Sequence, residues 1–305
     1  MSARINAAMT ILIVGGAGFI GKRLTRYIAR QDPSHTVAVL DSNADGLALL
    51  PDGVRRYTCD IRKGIDVRRV FDTVKPDLVI HTAALHYIPY CNDHILETLQ
   101  TNVLGTWNIL QAANGYGVKK VVFTSSAAVY APGDQLAESS PKALSDVYGF
   151  TKYVCELLIR STLHCDWTMA RLFNVYGPGD EIPHLIPELF AQLRNSSQVL
   201  LGNTETKRDY IFVDDVCAAL LLLAERQETN RSVYNVGTGR SYNAREIVQT
   251  LEGLLETTIE IRTTRRKFRV GDKPVLCANS ARLRHIGWEV RHTLAEGLSV
   301  MRNEF

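Results

Sequence analysis

The sequence predicts an α/β protein: a doubly wound parallel sheet with a smaller α/β lobe at its C-terminal end. Two observations carry this reading. Short, almost continuously apolar runs alternate with longer amphipathic segments, and a glycine-rich turn follows the first run directly. The strand candidates are Thr10–Val14, Thr36–Leu40, Leu78–Thr82, Val121–Ser125 and Thr168–Leu172. They lack polar alternation, as expected of a parallel sheet covered by helices on both faces. Helices are expected between them over Phe19–Arg30, Ile65–Val74, Asp93–Tyr116 and Ser145–Thr162. The βαβα rhythm stops near Phe173, where Gly177-Pro178-Gly179, Pro183 and Pro187 cluster. The sheet domain is therefore expected at 1–173 and the lobe at 174–305, with 208–240 able to return in part to the sheet.

At 305 residues and 46% hydrophobic, the chain can build a large core plus an appendage. Its 35 basic and 32 acidic residues are spread along the sequence, which argues against a nucleic-acid binder with a basic stripe. The six cysteines form no Cys-x-x-Cys pair. They read as reduced core thiols, with no disulfide framework and no metal site. No signal-like apolar stretch opens the sequence, and its longest apolar run, Cys217–Ala224, is far short of the ~20 residues of a membrane span. A cytoplasmic protein without a membrane partner is expected.

Gly15-Gly16-Ala17-Gly18-Phe19-Ile20-Gly21 joins the first strand to the first helix. Gly15 allows the tight turn, Gly18 lets backbone approach a pyrophosphate, and Gly21 lets helix and strand pack closely. The helix start turns free N–H groups toward the phosphates. Asp41 ends the second strand about twenty residues on, where a carboxylate accepts from ribose hydroxyls and repels a 2′-phosphate. The cofactor expected is NAD rather than NADP. Asp60 and Ile61, after a third strand, would meet the adenine.

Tyr148 and Lys152 stand four residues apart at the start of a predicted helix, on one face. A phenol with a pKa near 10 is a poor base at neutral pH. One ammonium about 4 Å away, at an effective dielectric of about 20, favours the phenolate by about 4 kcal/mol. That would lower the phenol by about three pKa units. Upstream, Val121–Ser126 places Ser126 at the carboxyl edge of the sheet, where a hydroxyl can relay a proton to Tyr148. Ser125 or Ser126 could otherwise serve as a strand-end cap.

With these residues the chain resembles the extended short-chain dehydrogenases/reductases of the Rossmann fold, within the NAD-dependent nucleotide-sugar epimerase/dehydratase group. The resemblance runs through 15–21, His81-Thr82-Ala83-Ala84, Asn102–Thr106, Ser125–Tyr130, Tyr148/Lys152, Asn174–Gly179, Arg208-Asp209-Tyr210 and Arg269–Asp272. It implies catalysis by Ser126, Tyr148 and Lys152. It also implies a dinucleotide site including Ala83, Ala84 and Asn102, with His86 and Phe173 near the nicotinamide. A nucleotide-diphosphate sugar would be held by Asn174, His184, Leu185, Arg208 and Arg269, its base by Val199, Leu200 and Leu201, and its ribose by Asp272. By the same resemblance, the helices at Asp93–Tyr116 and Ser145–Thr162 would pair with those of a second copy in a homodimer.

Members that dehydrate the sugar resemble Ser-Thr-Asp-Glu-Val-Tyr where this chain has Ser125-Ser126-Ala127-Ala128-Val129-Tyr130. Methyl groups move no protons, so 4,6-dehydration is disfavoured and C4 epimerisation through a 4-keto sugar is expected. The alternatives are a net NAD-dependent nucleotide-sugar oxidoreductase or dehydratase of the same family and a non-catalytic NAD-sensing protein. UDP-galactose 4-epimerases carry a lysine where His86 stands and an asparagine where His184 stands. These departures leave the sugar, and the grip on NAD, open.

Overall fold

The computed structural model describes residues 8–31, 33–268 and 271–302. The chain forms two compact units, the first built from 1–129, 144–171 and 217–234 and the second from 130–143, 172–216 and 235–305.

The first unit begins β1 (Thr10–Val14), α1 (Phe19–Gln31), β2 (Thr36–Asp41), α2 (Ala44–Ala48), β3 (Arg55–Thr58), α3 (Gly64–Val74) and β4 (Leu78–His81). It continues with α4 (Ile88–Asp93), α5 (Ile95–Thr98), a π-helical segment (Leu99–Leu104), α6 (Gly105–Gly115) and β5 (Lys120–Ser126). After β6 (Gly133–Leu136) come α7 (Val147–Thr162) and β7 (Asp166–Leu172). The seven-stranded sheet has the order β11-β7-β5-β4-β1-β2-β3, with β11 at Ser232–Val236. The pairs from β3 through β5 are parallel. Ile11, Leu12, Ile13 and Val14 are fully buried, as the absence of polar alternation predicts for a central strand.

The order reverses between β1 and β4. The connections leaving neighbouring strands run to opposite faces of the sheet at such a point and leave a ligand crevice there. The helix expected over 93–116 is broken into α5 and α6 with the π turn between them, and α4 ends at Asp93 where it was expected to begin. A π turn inserts a residue into the hydrogen-bond ladder, which apolar periodicity does not register. Lys120 is buried and its Nζ donates to Leu223 O at 2.7 Å, Arg226 O at 2.8 Å and Thr229 Oγ1 at 2.8 Å. It caps the C-terminal end of α9 (Val213–Glu225).

In the second unit, β8 (Asn174–Tyr176), α8 (Leu185–Leu193), β9 (Gln198–Leu201) and β10 (Lys207–Phe212) precede β12 (Ser241–Tyr242). Then follow α10 (Ala244–Leu255), β13 (Glu260–Thr263), β14 (Val275–Ala278), α11 (Ala281–His285) and α12 (Leu294–Arg302). A sheet of order β12-β10-β14-β6, joined by β8 on β10, lies beside a parallel β13-β9 pair. Its core gathers Tyr176, Leu189, Phe190, Phe212, Ile247 and Leu298. Asp209 is fully buried and accepts from Thr238 N, Thr238 Oγ1, Gly239 N and Ala278 N. The Gly237-Thr238-Gly239 turn is thus wrapped around a carboxylate.

Among the described residues no helix is long and apolar enough to cross a membrane, and no cluster of three or more His, Cys, Asp or Glu could hold a metal ion.

Candidate active site

The glycine turn between β1 and α1 is shaped by close approach. Gly15 has φ 87°, and a Cβ there would lie 2.4 Å from Ala83 N. A Cβ on Gly21 would lie 2.1 Å from Gly15 O, so no side chain fits at either position. At Gly18 the nearest atom would be 3.4 Å away, and the residue is exposed, so packing does not require its glycine. A side chain at Gly18 would fill the space over the start of α1, whose first turn carries no acid to compete for an anion. Phe19 and Ile20 are half-buried on that turn.

Asp41 leans over the same turn: Oδ2 accepts from Ala17 N at 2.9 Å and Oδ1 from Asn43 N at 2.9 Å. Each oxygen keeps a lone pair for a ribose hydroxyl. This loop, free helix start and carboxylate fit a dinucleotide without a 2′-phosphate. Asp60 is held bidentately by Arg62, whose guanidinium keeps the carboxyl below its ordinary range. Ile61 is buried against Gly105. Ala83 N donates to Val14 O, and Ala84 is half-buried beside it. Asn102, set by the π turn, accepts from Leu85 N at 2.8 Å and donates to Leu85 O at 2.9 Å and Thr151 Oγ1 at 3.0 Å. It braces the Ala83–His86 loop, leaving His86 exposed.

The second group of residues lies where β5 meets α7. Asp146 caps α7, its Oδ1 accepting from Gly149 N at 2.7 Å. Gly149 sits against the turn after β5: a Cβ on it would lie 2.7 Å from Ala128 O. The absence of that methyl lets α7 approach Ser126 closely. Ser126 Oγ accepts from Ala128 N at 3.1 Å, and its hydroxyl hydrogen-bonds the Tyr148 phenol. Lys152 is 3% exposed; its Nζ donates to Thr124 O at 2.8 Å and lies 5.8 Å from the Tyr148 ring centroid.

Burial pushes the Tyr148 phenol up, opposed by the hydrogen bond from Ser126. Burial pushes Lys152 down, to about 8. The lowering expected from one nearby ammonium is therefore not what the protein alone produces. Desolvation penalises the phenolate more than Lys152, turned onto Thr124, relieves it.

Two further residues at this site, Glu156 and Arg171, carried no sequence motif. Ser125 Oγ donates to Glu156 Oε1 at 2.6 Å, and Arg171 grips the same carboxylate through Nε at 2.8 Å and Nη2 at 2.6 Å. Glu156 and Arg171 are 1% and 3% exposed. The one available signal was spacing, since Glu156 follows Lys152 by one helical turn. His81 is buried, its Nε2 3.0 Å from Thr106 Oγ1, whose own proton goes to Asn102 O. His81 Nδ1 has no hydrogen-bond partner among the described residues, and burial pushes the imidazole down to about 3.

The residues expected around a nucleotide sugar lie in the second unit. Phe173 is buried, with its ring 6.3 Å from that of Tyr130. Asn174 is exposed on β8, and His184 Nδ1 lies 3.1 Å from Asp180 Oδ2. Leu185 packs partly into the core. Strand alternation buries Val199 and Leu201 and exposes only Leu200. Arg208 donates to Lys207 O at 2.8 Å and pairs with Asp272, so the groups expected on phosphate and ribose hold each other. Arg269 lies outside the described residues.

A model of the NAD dependent epimerase/dehydratase family matches residues 11–237. The chain is 32% identical to the UDP-glucose 4-epimerase of Lactobacillus helveticus, with 93% of each covered. It is 29% identical to the GDP-6-deoxy-D-talose 4-dehydrogenase of Aggregatibacter actinomycetemcomitans, with 91% of each covered. The crystal structure of Thermus thermophilus UDP-glucose 4-epimerase in complex with NAD matches with a TM-score of 0.85 at 28% identity, covering 97% of this chain and 98% of that one. The family match spans the glycine turn, Asp41 and the Ser126–Tyr148–Lys152 group, and NAD is the cofactor that goes with them. The chain belongs to the NAD-dependent epimerase/dehydratase family.

Proposed function

We propose that the chain inverts C4 of a nucleotide-diphosphate sugar through a transient 4-keto sugar. The observation that carries this reading is the hydrogen-bonded Ser126–Tyr148 pair with the Lys152 ammonium one helical turn away. When bound, NAD supplies the acceptor for the C4 hydride and returns it. With Tyr148 as the phenolate, Ser126 receives the sugar hydroxyl proton and passes its own to it, and the phenol so formed gives the proton back through Ser126 when the ketone is reduced. Lys152 offsets the phenolate charge, and because burial opposes that charge, the ammonium must remain protonated for Tyr148 to act. Ala127 and Ala128, buried in the turn after Ser126, provide no acid or base for dehydration. Asn174, Arg208 and Arg269 are the proposed diphosphate anchors, Asp272 the ribose contact and Leu200 the base contact.

The test is incubation with UDP-, dTDP-, GDP- and CDP-sugars, with C4 inversion followed by NMR. Tyr148→Phe should abolish turnover while NAD stays bound; a fully active Phe variant would refute the role. A net oxidoreductase is the second reading, favoured by the 4-dehydrogenase relative. It would produce or consume free NADH, which a complete epimerase cycle does not.

The same proposal includes a homodimer. Ile95, Leu96 and Leu104 on the α4–α6 segment and Phe150 and Leu157 on α7 are large apolar side chains left exposed. Such a concentration on packed helices suits a second copy of the chain. Light scattering should give twice the monomer mass.

A further inference from the structure

Lys152 is enclosed by groups from four elements. Tyr148, Cys155 and Glu156 face it from α7, His81 from β4, Cys91 from α4, and Phe123 and Thr124 O from β5. Asp146, at the helix cap, acts on Tyr148 and Cys91. Glu156 differs from the other neighbours in being held from two strands at once. Its carboxylate takes Ser125 from the strand that carries Ser126 and two guanidinium nitrogens of Arg171 from the adjacent strand β7, all buried. The helix carrying Tyr148 and Lys152 is thereby tied to both strands at one point.

We propose that Glu156 is a positioning residue for Lys152: clamped by Arg171 and Ser125 one turn along α7, its carboxylate keeps the ammonium charged and seated on Thr124. The inference rests on the reading of Tyr148 and Lys152 as the proton-transfer pair.

The electrostatics leave this task to few groups. Burial is what drives Lys152 down, and it stands at about 8 with the opposing effect of its neighbours included. His81 is neutral, and burial pushes the Cys91 and Cys155 thiols up, so none of the three carries charge at neutral pH. The resting phenol is neutral as well. Cys155, Cys91 and Glu156 all oppose burial at Lys152, and of these only Glu156, ion-paired with Arg171, brings a carboxylate charge. Arg171, paired with Glu156 through Nε and Nη2, offsets part of that charge.

The holoprotein, labelled with 13Cε-lysine, is titrated by NMR, and Lys152 is assigned as the resonance missing from Lys152→Arg. Glu156→Gln should move the Lys152 midpoint down by on the order of one pH unit, while Glu156→Asp stays near the native value. Breaking a buried ion pair from one side can prevent folding, whereas replacing both partners is far better tolerated. The double variant Glu156→Gln/Arg171→Met therefore provides the second measurement, with a smaller downward shift expected. A midpoint unmoved within about 0.2 unit in folded Glu156→Gln, or in the double variant if only that one folds, overturns the inference. With a turned-over sugar, the alkaline fall of kcat should move with the midpoint while KM holds. An active Tyr148→Phe sinks the catalytic reading but leaves the titration decisive for Glu156. An inactive Tyr148→Phe with an unmoved Lys152 sinks the Glu156 role alone.

Discussion

Adding one methyl group to α7 separates active-site geometry from stability. In Gly149→Ala the new Cβ would stand 2.7 Å from Ala128 O and 3.1 Å from its carbonyl carbon, where ordinary contact begins near 3.4 Å. The obstacle is backbone, so either the helix or the turn must yield by about 0.7 Å. Tyr148 precedes the added methyl directly and Ser126 is two residues before Ala128, so the displacement falls on the Ser126–Tyr148 hydrogen bond. Misplacement by about 1 Å can lower a rate about 10²-fold, so a loss of roughly 10- to 100-fold in kcat is expected. The stability change should be smaller than overpacking alone gives. A tight contact costs about 1–3 kcal/mol, while replacing helical glycine by alanine recovers about 1 kcal/mol. The assay pairs kcat on an accepted nucleotide sugar with the thermal midpoint and with NAD binding followed by protein fluorescence. A folded Gly149→Ala variant within twofold of native kcat would refute the claim that this contact sets the spacing.

Two further outcomes follow from buried groups. His81 has its folded pKa lowered to about 3 against 6.5 unfolded. The unfolded chain therefore binds more protons between those values, and stability falls as pH drops through 6.5 toward 3, by up to about 1.4 kcal/mol per unit. His81→Gln should flatten that acid limb in urea titrations at successive pH values; an unchanged slope would contradict the assignment. Lys120→Met removes three hydrogen bonds at the end of α9 and leaves the Leu223 and Arg226 carbonyls to share the single Thr229 hydroxyl proton. A loss of roughly 2–4 kcal/mol is expected, read as a Tm lower by roughly 3–6 °C in a chain of this size. A Tm within a degree of native would show that water replaces the cap.

Much of the architecture was legible because a buried parallel sheet leaves a local mark. Thr10–Val14 occupies the residues expected of it, and the other four apolar runs form strands within two residues at either end. Strand β3 was not legible in the same way, since Arg55, Arg56 and Thr58 are exposed at the sheet edge and show no apolar run. The break inside 88–115 escaped for a different reason. Side chains on either side of the π turn keep a helical spacing, and only backbone pairing reveals the added residue that brings Asn102 to Leu85. At β9 the expected base contacts reduce to Leu200, because period-two alternation turns Val199 and Leu201 inward.

By itself, the sequence determined the glycine turn, the acid at the end of β2, the serine at the end of β5 and the Tyr–Lys spacing, because each depends on residue identity within one local element. Only the tertiary structure decided how those groups behave. Burial, a sum over atoms from distant segments, pushes Tyr148 up and Lys152 down, against the direction that one charge at one distance implied for the phenol. The same long-range packing brings Glu156, Ser125 and Arg171 together from three elements. It also pairs Arg208 with Asp272 across sixty-four positions of sequence. No local pattern encodes those meetings, because the energies that favour them exist only once the chain has folded.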